Sequence, residues 1–245
     1  IGELIGGLVP ILYFSRPNTS RLKLVRTKLE WRPIWRSCSN GASEMMTNLS
    51  MSLVNTLYNL QLMRFTGEDG VAAYGVIMYV NFIFVAIYMG YSIGSAPIVG
   101  YHYGAKHQEE LRGLLRRSLW ILGIGAVLLT VAGELFSSPL SKIFVSYDDA
   151  LFAMTRHGFR LYGLSYLLCG FNIFGSAFFT ALNNGMVSAV ISFARTLVFQ
   201  IVCVLVLPIF LKLNGIWISI LVAEFLGILV TASLLIANRK KYSYF

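Results

Sequence analysis

The chain has 245 residues, 56% apolar and only 13% charged, with a mean hydropathy of +0.68; a soluble domain spends about a quarter of its residues on charge, so composition excludes an ordinary soluble enzyme. Its apolar blocks are far longer than the roughly ten-residue alternating strands of an outer-membrane barrel, which leaves helices as the means of crossing a bilayer. The net charge of +9 sits between these blocks and not in a basic patch interleaved with aromatics, so nucleic acid is excluded as a partner.

In chain order, residues 1–14 form an apolar run too short to span a bilayer, without the basic start and cleavage site of a signal peptide. They are expected to be the end of a preceding transmembrane helix, making the sequence a fragment. Residues 15–36 carry Arg16, Arg21, Lys23, Arg26, Lys28, Arg32 and Arg36 against the single acid Glu30. Such a basic linker belongs on the cytoplasmic side, and Pro17 and Pro33 bound a short surface helix in it.

The first full span is expected at 37–63, a stretch with no Lys or Arg and one acid, Glu44. At about 100° per residue, Glu44, Asn48, Ser52, Asn55 and Asn59 fall within an arc of roughly 80°, while Leu49, Leu53, Leu57 and Leu60 lie mostly elsewhere. A carboxylate in the bilayer costs on the order of 2.5–3.5 kcal/mol, so this polar stripe should face other helices or a wet cavity. After a turn at Gly67-Glu68-Asp69-Gly70, residues 71–105 run without one charged side chain, and Gly90, Gly94, Pro97 and Gly100 predict a kink or an unwound turn in the second half.

A basic amphipathic loop at 106–117 leads into a third span at 118–136, and 137–155 reads as an outer lip. A fourth span, 156–182, stops at Asn183-Asn184-Gly185. A fifth covers 186–208 with Arg195 inside it, and a sixth, 216–237, follows the turn at Lys212-Leu213-Asn214-Gly215 and ends in a basic tail. This arrangement puts fifteen Lys and Arg on the cytoplasmic side, in the linker, middle loop and tail and at Arg195. It leaves Arg64, Lys142, Arg156, Arg160 and Lys212 opposite, the bias of six spans with both flanks cytoplasmic.

Several side chains are candidates for function. Glu44 has no cation within its own span, so it calls for a proton, a bound cation or a distant partner, as a coupled transporter requires. Glu224, in the middle of the last span, either meets substrate cations or pairs with a base such as Arg195; Arg195 alternatively snorkels to the headgroups or takes a gating role. The stripe residues Asn48, Ser52, Asn55 and Asn59, together with Asn172, either line a cavity or bond neighbouring helices, Asn172 lying among Gly170, Gly175 and Ser176 as a close-packing helix would have it. Glu134, at a span end, is expected to be solvated. Tyr74, Met78, Tyr79, Phe82, Phe84, Tyr88 and Met89 on the second span would make an adaptable wall for bulky organic cations, or simply face lipid and core.

Other chemistry is set aside. Gly90-Tyr91-Ser92-Ile93-Gly94 fits the G-x-S-x-G pattern but lies inside an apolar helix instead of a strand-to-helix turn. His107 and Glu109 lack the Cys pair of a zinc deaminase. Cys38, Cys169 and Cys203 lie in or at the end of apolar segments without paired spacing and read as small buried hydrophobes. No metal site, phosphate loop or enzymatic constellation stands out.

At Asn40-Gly41-Ala42-Ser43-Glu44, Gly70-Val71-Ala72-Ala73-Tyr74-Gly75, the run from Gly94 to Ala105 (GSAPIVGYHYGA), Phe193-Ala194-Arg195-Thr196 and Gly215-Ile216-Trp217, the sequence resembles the second half of a MATE (multidrug and toxic compound extrusion) transporter. The resemblance implies an all-α membrane protein, a six-transmembrane-helix bundle forming one lobe (37–245) of a twelve-helix transporter. Residues 15–36 would be the inter-lobe linker, and the N-terminal lobe of the same polypeptide would be missing. It further implies export of small organic cations by alternating access, in exchange for H+ or Na+, from a bacterial inner membrane, with no cofactor beyond the coupling ion. Glu44 matches the family's acid on the seventh helix; the aspartate that some members place on the tenth has no counterpart in 156–182, which holds no acid. Two other readings stay open. A lipid-linked oligosaccharide flippase would be expected to carry bases within its spans, and a non-transporting membrane scaffold would seal Glu44 in a dry seam.

Overall fold

The computed structural model describes residues 2–17, 30–242 and 244. The expected surface helix between Pro17 and Pro33 lies outside the described residues. Two compact units, Ile1–Arg36 and Ser37–Phe245, are distinguished. The first contains α1 (Gly2–Ser15), a helix with Pro10 in its interior.

The larger unit is a helical bundle with no strand among the described residues. Its elements are α2 (Trp31–Thr66, which starts in the first unit), α3 (Glu68–Gly104), α4 (Gln108–Val145), α5 (Asp149–Gly163), α6 (Tyr166–Ala181), α7 (Gly185–Phe193), a π-helical segment (Ala194–Phe199) and α8 (Gln200–Tyr242). The run from Gly185 to Tyr242 is helical over 58 residues, which as one straight rod would reach about 87 Å, nearly three times the hydrocarbon thickness. It does not run straight. Lys212, with φ 50° and ψ −131°, interrupts the helical backbone. A side chain on Gly215 would sit 2.5 Å from the backbone of Leu207, so the chain folds back tightly on itself there. The first half of α8 therefore completes the span begun by α7, and the second half is a span of its own.

The α5–α6 pair likewise makes one span bent by 48°. Sequence patterning predicts a single helix here. In the structure, tight turns close Ser165 N onto Tyr162 O and Leu168 N onto Ser165 O. Tyr88 of α3 donates to the Tyr166 carbonyl at 2.7 Å just beyond the bend. With α2, α3 and α4 the bundle has six helices. By composition α3, α4, the α7–α8 run and the bent pair are apolar enough to cross a membrane, and α2 is not, because the polar stripe dilutes it.

Three boundaries differ from expectation. α3 stays helical from Gly90 through Gly104 with Pro97 inside, so no unwound turn forms; a single proline removes one amide donor, which a long packed helix tolerates. α4 begins at Gln108, absorbing most of the basic loop, and continues to Val145 past Pro139, so the expected lip is largely helix. α5 starts at Asp149, where the Asp148 carboxylate caps it by accepting from Ala150 N at 2.8 Å and Leu151 N at 3.0 Å.

The core is aromatic. Trp217, Tyr58, Tyr88, Tyr166, Phe159, Phe174, Phe178 and Phe179 are fully enclosed, with Phe84 stacked on Tyr166 at 4.9 Å. α6 and α7 are joined by a hydroxyl seam: Ser176 meets Ser188 and Ser192 at 2.9 and 2.8 Å, and Thr180 meets Ser188 at 2.7 Å. At the end of the chain Tyr242 packs edgewise on Tyr103 and Phe179, while Tyr244 lies on Phe178 and donates to the Leu235 carbonyl at 2.9 Å. This aromatic tail closes one end of the bundle.

Candidate functional site

Helix α2 buries a single seam, Ser50, Val54, Tyr58 and Leu62, spaced four residues apart so that they stack along one side. Tyr58 stacks flat on Tyr74 of α3 (5.1 Å, 2° between planes), and the Tyr74 hydroxyl donates to Asn55 Oδ1 at 2.8 Å. Gln61 donates to the Val204 carbonyl of α8 at 3.3 Å. Beside this seam lies the polar stripe. Asn55 is half-buried and tied to Tyr74, whereas Asn48, Ser52 and Asn59 are exposed on the surface of the lobe. The side chain of Glu44, the leading sequence candidate, lies outside the described residues, although its backbone is part of α2.

The second group of candidates converges inside the lobe. Glu224 on the second half of α8 is 2% exposed and Asn172 on α6 is fully enclosed. Arg195, from the π-helical segment, donates through an Nη to Glu224 Oε1 at 2.8 Å. Asn172 donates through Nδ2 to Glu224 Oε2 at 2.7 Å and to the Glu224 carbonyl at 2.9 Å, and its own Oδ1 accepts from Thr231 at 2.9 Å. A charge pair taken out of water must have its remaining lone pairs and protons satisfied, and here three helices supply the partners. The site depends on Gly227. A Cβ there would meet Asn172 Nδ2 at 2.9 Å and Arg195 Cγ at 3.1 Å, so the absence of a side chain lets the amide and the arginine stem approach α8.

Sequence reasoning therefore grouped what the structure divides. Asn48, Ser52 and Asn59 lie on an open face, whereas Asn172 and Glu224 are enclosed and share one network with the mostly buried Arg195. Arg195 does not snorkel, because a buried carboxylate holds it. Thr231 and Gly227 were missed: a Thr in an apolar helix carries no signal until its register against Asn172 is known. Glu134, expected to be solvated, lies 3.6 Å from Arg160 with both side chains well exposed, which is worth little in water. Of the second-span aromatics, Tyr74, Phe84 and Tyr88 are core while Tyr79 and Phe82 point outward. Among the described residues no group of three or more His, Cys, Asp or Glu is placed to hold a metal.

Comparison with known proteins places this geometry in context. The MatE family matches residues 45–206. "Probable multidrug resistance protein YoeA" from Bacillus subtilis is 25% identical over 135 residues, 55% of this chain and 29% of that protein. Among solved structures, an outward-facing multidrug resistance MATE family transporter of the MOP superfamily aligns with a TM-score of 0.82 at 20% identity, covering 97% of this chain and 55% of its own. A MOP superfamily transporter from Pyrococcus furiosus gives 0.84 at 18% identity, over 98% and 54%. The bent form of the Vibrio cholerae MATE transporter VcmN gives 0.76 at 19%, over 89% and 49%. The chain thus spans about half the length of the solved transporters it matches, and less of YoeA.

Proposed function

Since the chain belongs to the MatE family, whose members are multi-pass membrane transporters, we propose that it forms one lobe of an antiporter that exports small organic cations from a bacterial cell by exchange for H+ or Na+. The observation that carries this reading is the exposed polar face of α2. A lobe that sat in lipid on all sides would bury Ser52 and Asn59 or dispense with them, because polar groups facing hydrocarbon are costly. A helix that packs one seam and presents amides and hydroxyls beside it is suited to a water-filled route shared with a second lobe.

In this reading Glu44, on the same stripe, exchanges its proton or bound cation as the lobes rock, with the linker, middle loop and tail on the cytoplasmic side. The greasy outward side chains Tyr79 and Phe82 suit lipid contact. The oligosaccharide-flippase alternative needs cations free to hold pyrophosphate within the spans. Arg195, the base placed there by sequence, is already committed to Glu224. The test is efflux of a fluorescent organic cation from cells expressing the full polypeptide. Glu44→Gln should abolish it while leaving the protein in the membrane, and unchanged efflux would remove the proposed role.

A further inference from the structure

Glu224 is the acid sealed most completely among the described residues, and the transport reading above gives it no work. Three features of its setting decide what it can bind. Both of its oxygens face nitrogen donors, Arg195 on Oε1 and Asn172 on Oε2, and the Asn172 Oδ1 accepts from Thr231. Na+ or a divalent ion would have to press against N–H donors and would find too few oxygens for a hard-cation shell. A proton needs one lone pair.

The second feature is the mounting of the counter-ion. Arg195 projects from a π-helical turn of six residues, an irregular backbone held locally by the Thr196 hydroxyl on the Ser192 carbonyl at 2.6 Å. The third is access. The Arg195 side chain is 11% exposed against 2% for Glu224, and its Nε is buried without a hydrogen-bond partner, so its contact with Glu224 runs through an Nη and the arginine is the less enclosed partner of the pair.

We propose that the Glu224 carboxylate is a proton-accepting site whose resident counter-ion is Arg195, and that proton uptake there releases the π-helical segment Ala194–Phe199. A proton arriving from water forms an O–H bond on Oε1 and turns the carboxylate into a neutral acid. Arg195 keeps its own proton, loses the opposite charge that held it and swings toward its exposed side, while Asn172 stays bonded to Oε2. Loss of the proton restores the pair. Among the described residues Cys169 from α6 and Tyr58 from α2 feel the charge of Glu224, and the sequence of α7 holds no ionisable side chain. Neither brings a positive charge that could replace Arg195. The inference deepens the antiport reading, and rests on it only for the source of the proton.

The test is hydrogen–deuterium exchange of the full polypeptide in lipid nanodiscs, with protection factors corrected for intrinsic exchange and compared at acidic and alkaline pH. Infrared difference spectra are recorded alongside. In the wild type the amides of residues 194–199 should lose about tenfold in protection on acidification, and a carboxylic-acid carbonyl band should appear. Glu224→Gln should show low protection at both pH values and lack that band. Arg195→Lys, which keeps the charge, should retain the response, and Arg195→Met should lose it. Wild-type protection that is equal at both pH values, or a response and band that persist in Glu224→Gln, would overturn the proposal. Should Glu224→Gln fail to fold, the wild type and the two Arg195 variants still decide it. Loss of efflux with these signals intact would count against the transport reading alone.

Discussion

An arginine and a glutamate inside a helical lobe are tolerated as a pair and penalised singly. Removing the cation by Arg195→Met leaves a buried carboxylate with Asn172 as its remaining side-chain donor, and at alkaline pH this should lower stability by about 3–5 kcal/mol. The double variant Arg195→Met with Glu224→Met should recover most of that loss, since a packed apolar pair needs no compensation. Denaturant unfolding of the detergent-solubilised protein measures both, and a double variant as unstable as the single would contradict the desolvation argument. Gly227→Ala should cost about 1–3 kcal/mol through overpacking against Asn172 and Arg195. The partners Glu224 and Arg195 were legible in the sequence, being a mid-span acid and a mid-span base with nothing nearer. Asn172 was a candidate too, but its bond to Glu224 was not legible, because residue type cannot tell which face of α6 meets α8.

Helices reveal their ends more readily than their bends. The turns at Asn183-Asn184-Gly185 and at Lys212 to Gly215 could be read directly, and Asn184 caps α7 while Asn183 takes up positive φ. Lys212 is the conformationally costly member of its turn, since a side chain at φ 50° and ψ −131° crowds its own backbone. Lys212→Gly should therefore raise stability by about 1 kcal/mol, seen as an upward shift of the thermal midpoint; a downward shift would show that its side chain matters more than its backbone. The break between α5 and α6 has no proline to announce it and is shaped by tertiary contacts, among them Tyr88 on the Tyr166 carbonyl. Tyr88→Phe should cost about 1 kcal/mol, the worth of one buried hydrogen bond, by the same thermal measurement.

At the scale of the whole lobe, the closing aromatic tail makes stability depend on alkali. Burial pushes the Tyr244 phenol above its ordinary value of 10.0, with the neighbouring Tyr242 adding to the effect. A group whose folded value is raised stabilises the fold fully below its unfolded value, and that contribution drains away as pH climbs past it. Protection of the tail amides should thus hold at neutral pH and fall above about pH 10, and Tyr244→Phe should remove that fall. The hydroxyl seam between α6 and α7 has a different consequence for how such a lobe changes shape. Ser176, Ser188, Ser192 and Thr180 each carry a group that gives or receives with equal ease. Rotation of a hydroxyl can reverse the Ser176–Ser188, Ser176–Ser192 and Thr180–Ser188 links, and the carbonyls of Ser176 and Ser188 offer the same hydroxyls alternative acceptors. A small shift between α6 and α7 is expected to be met by exchange of hydroxyl partners, leaving no polar atom stranded in oil.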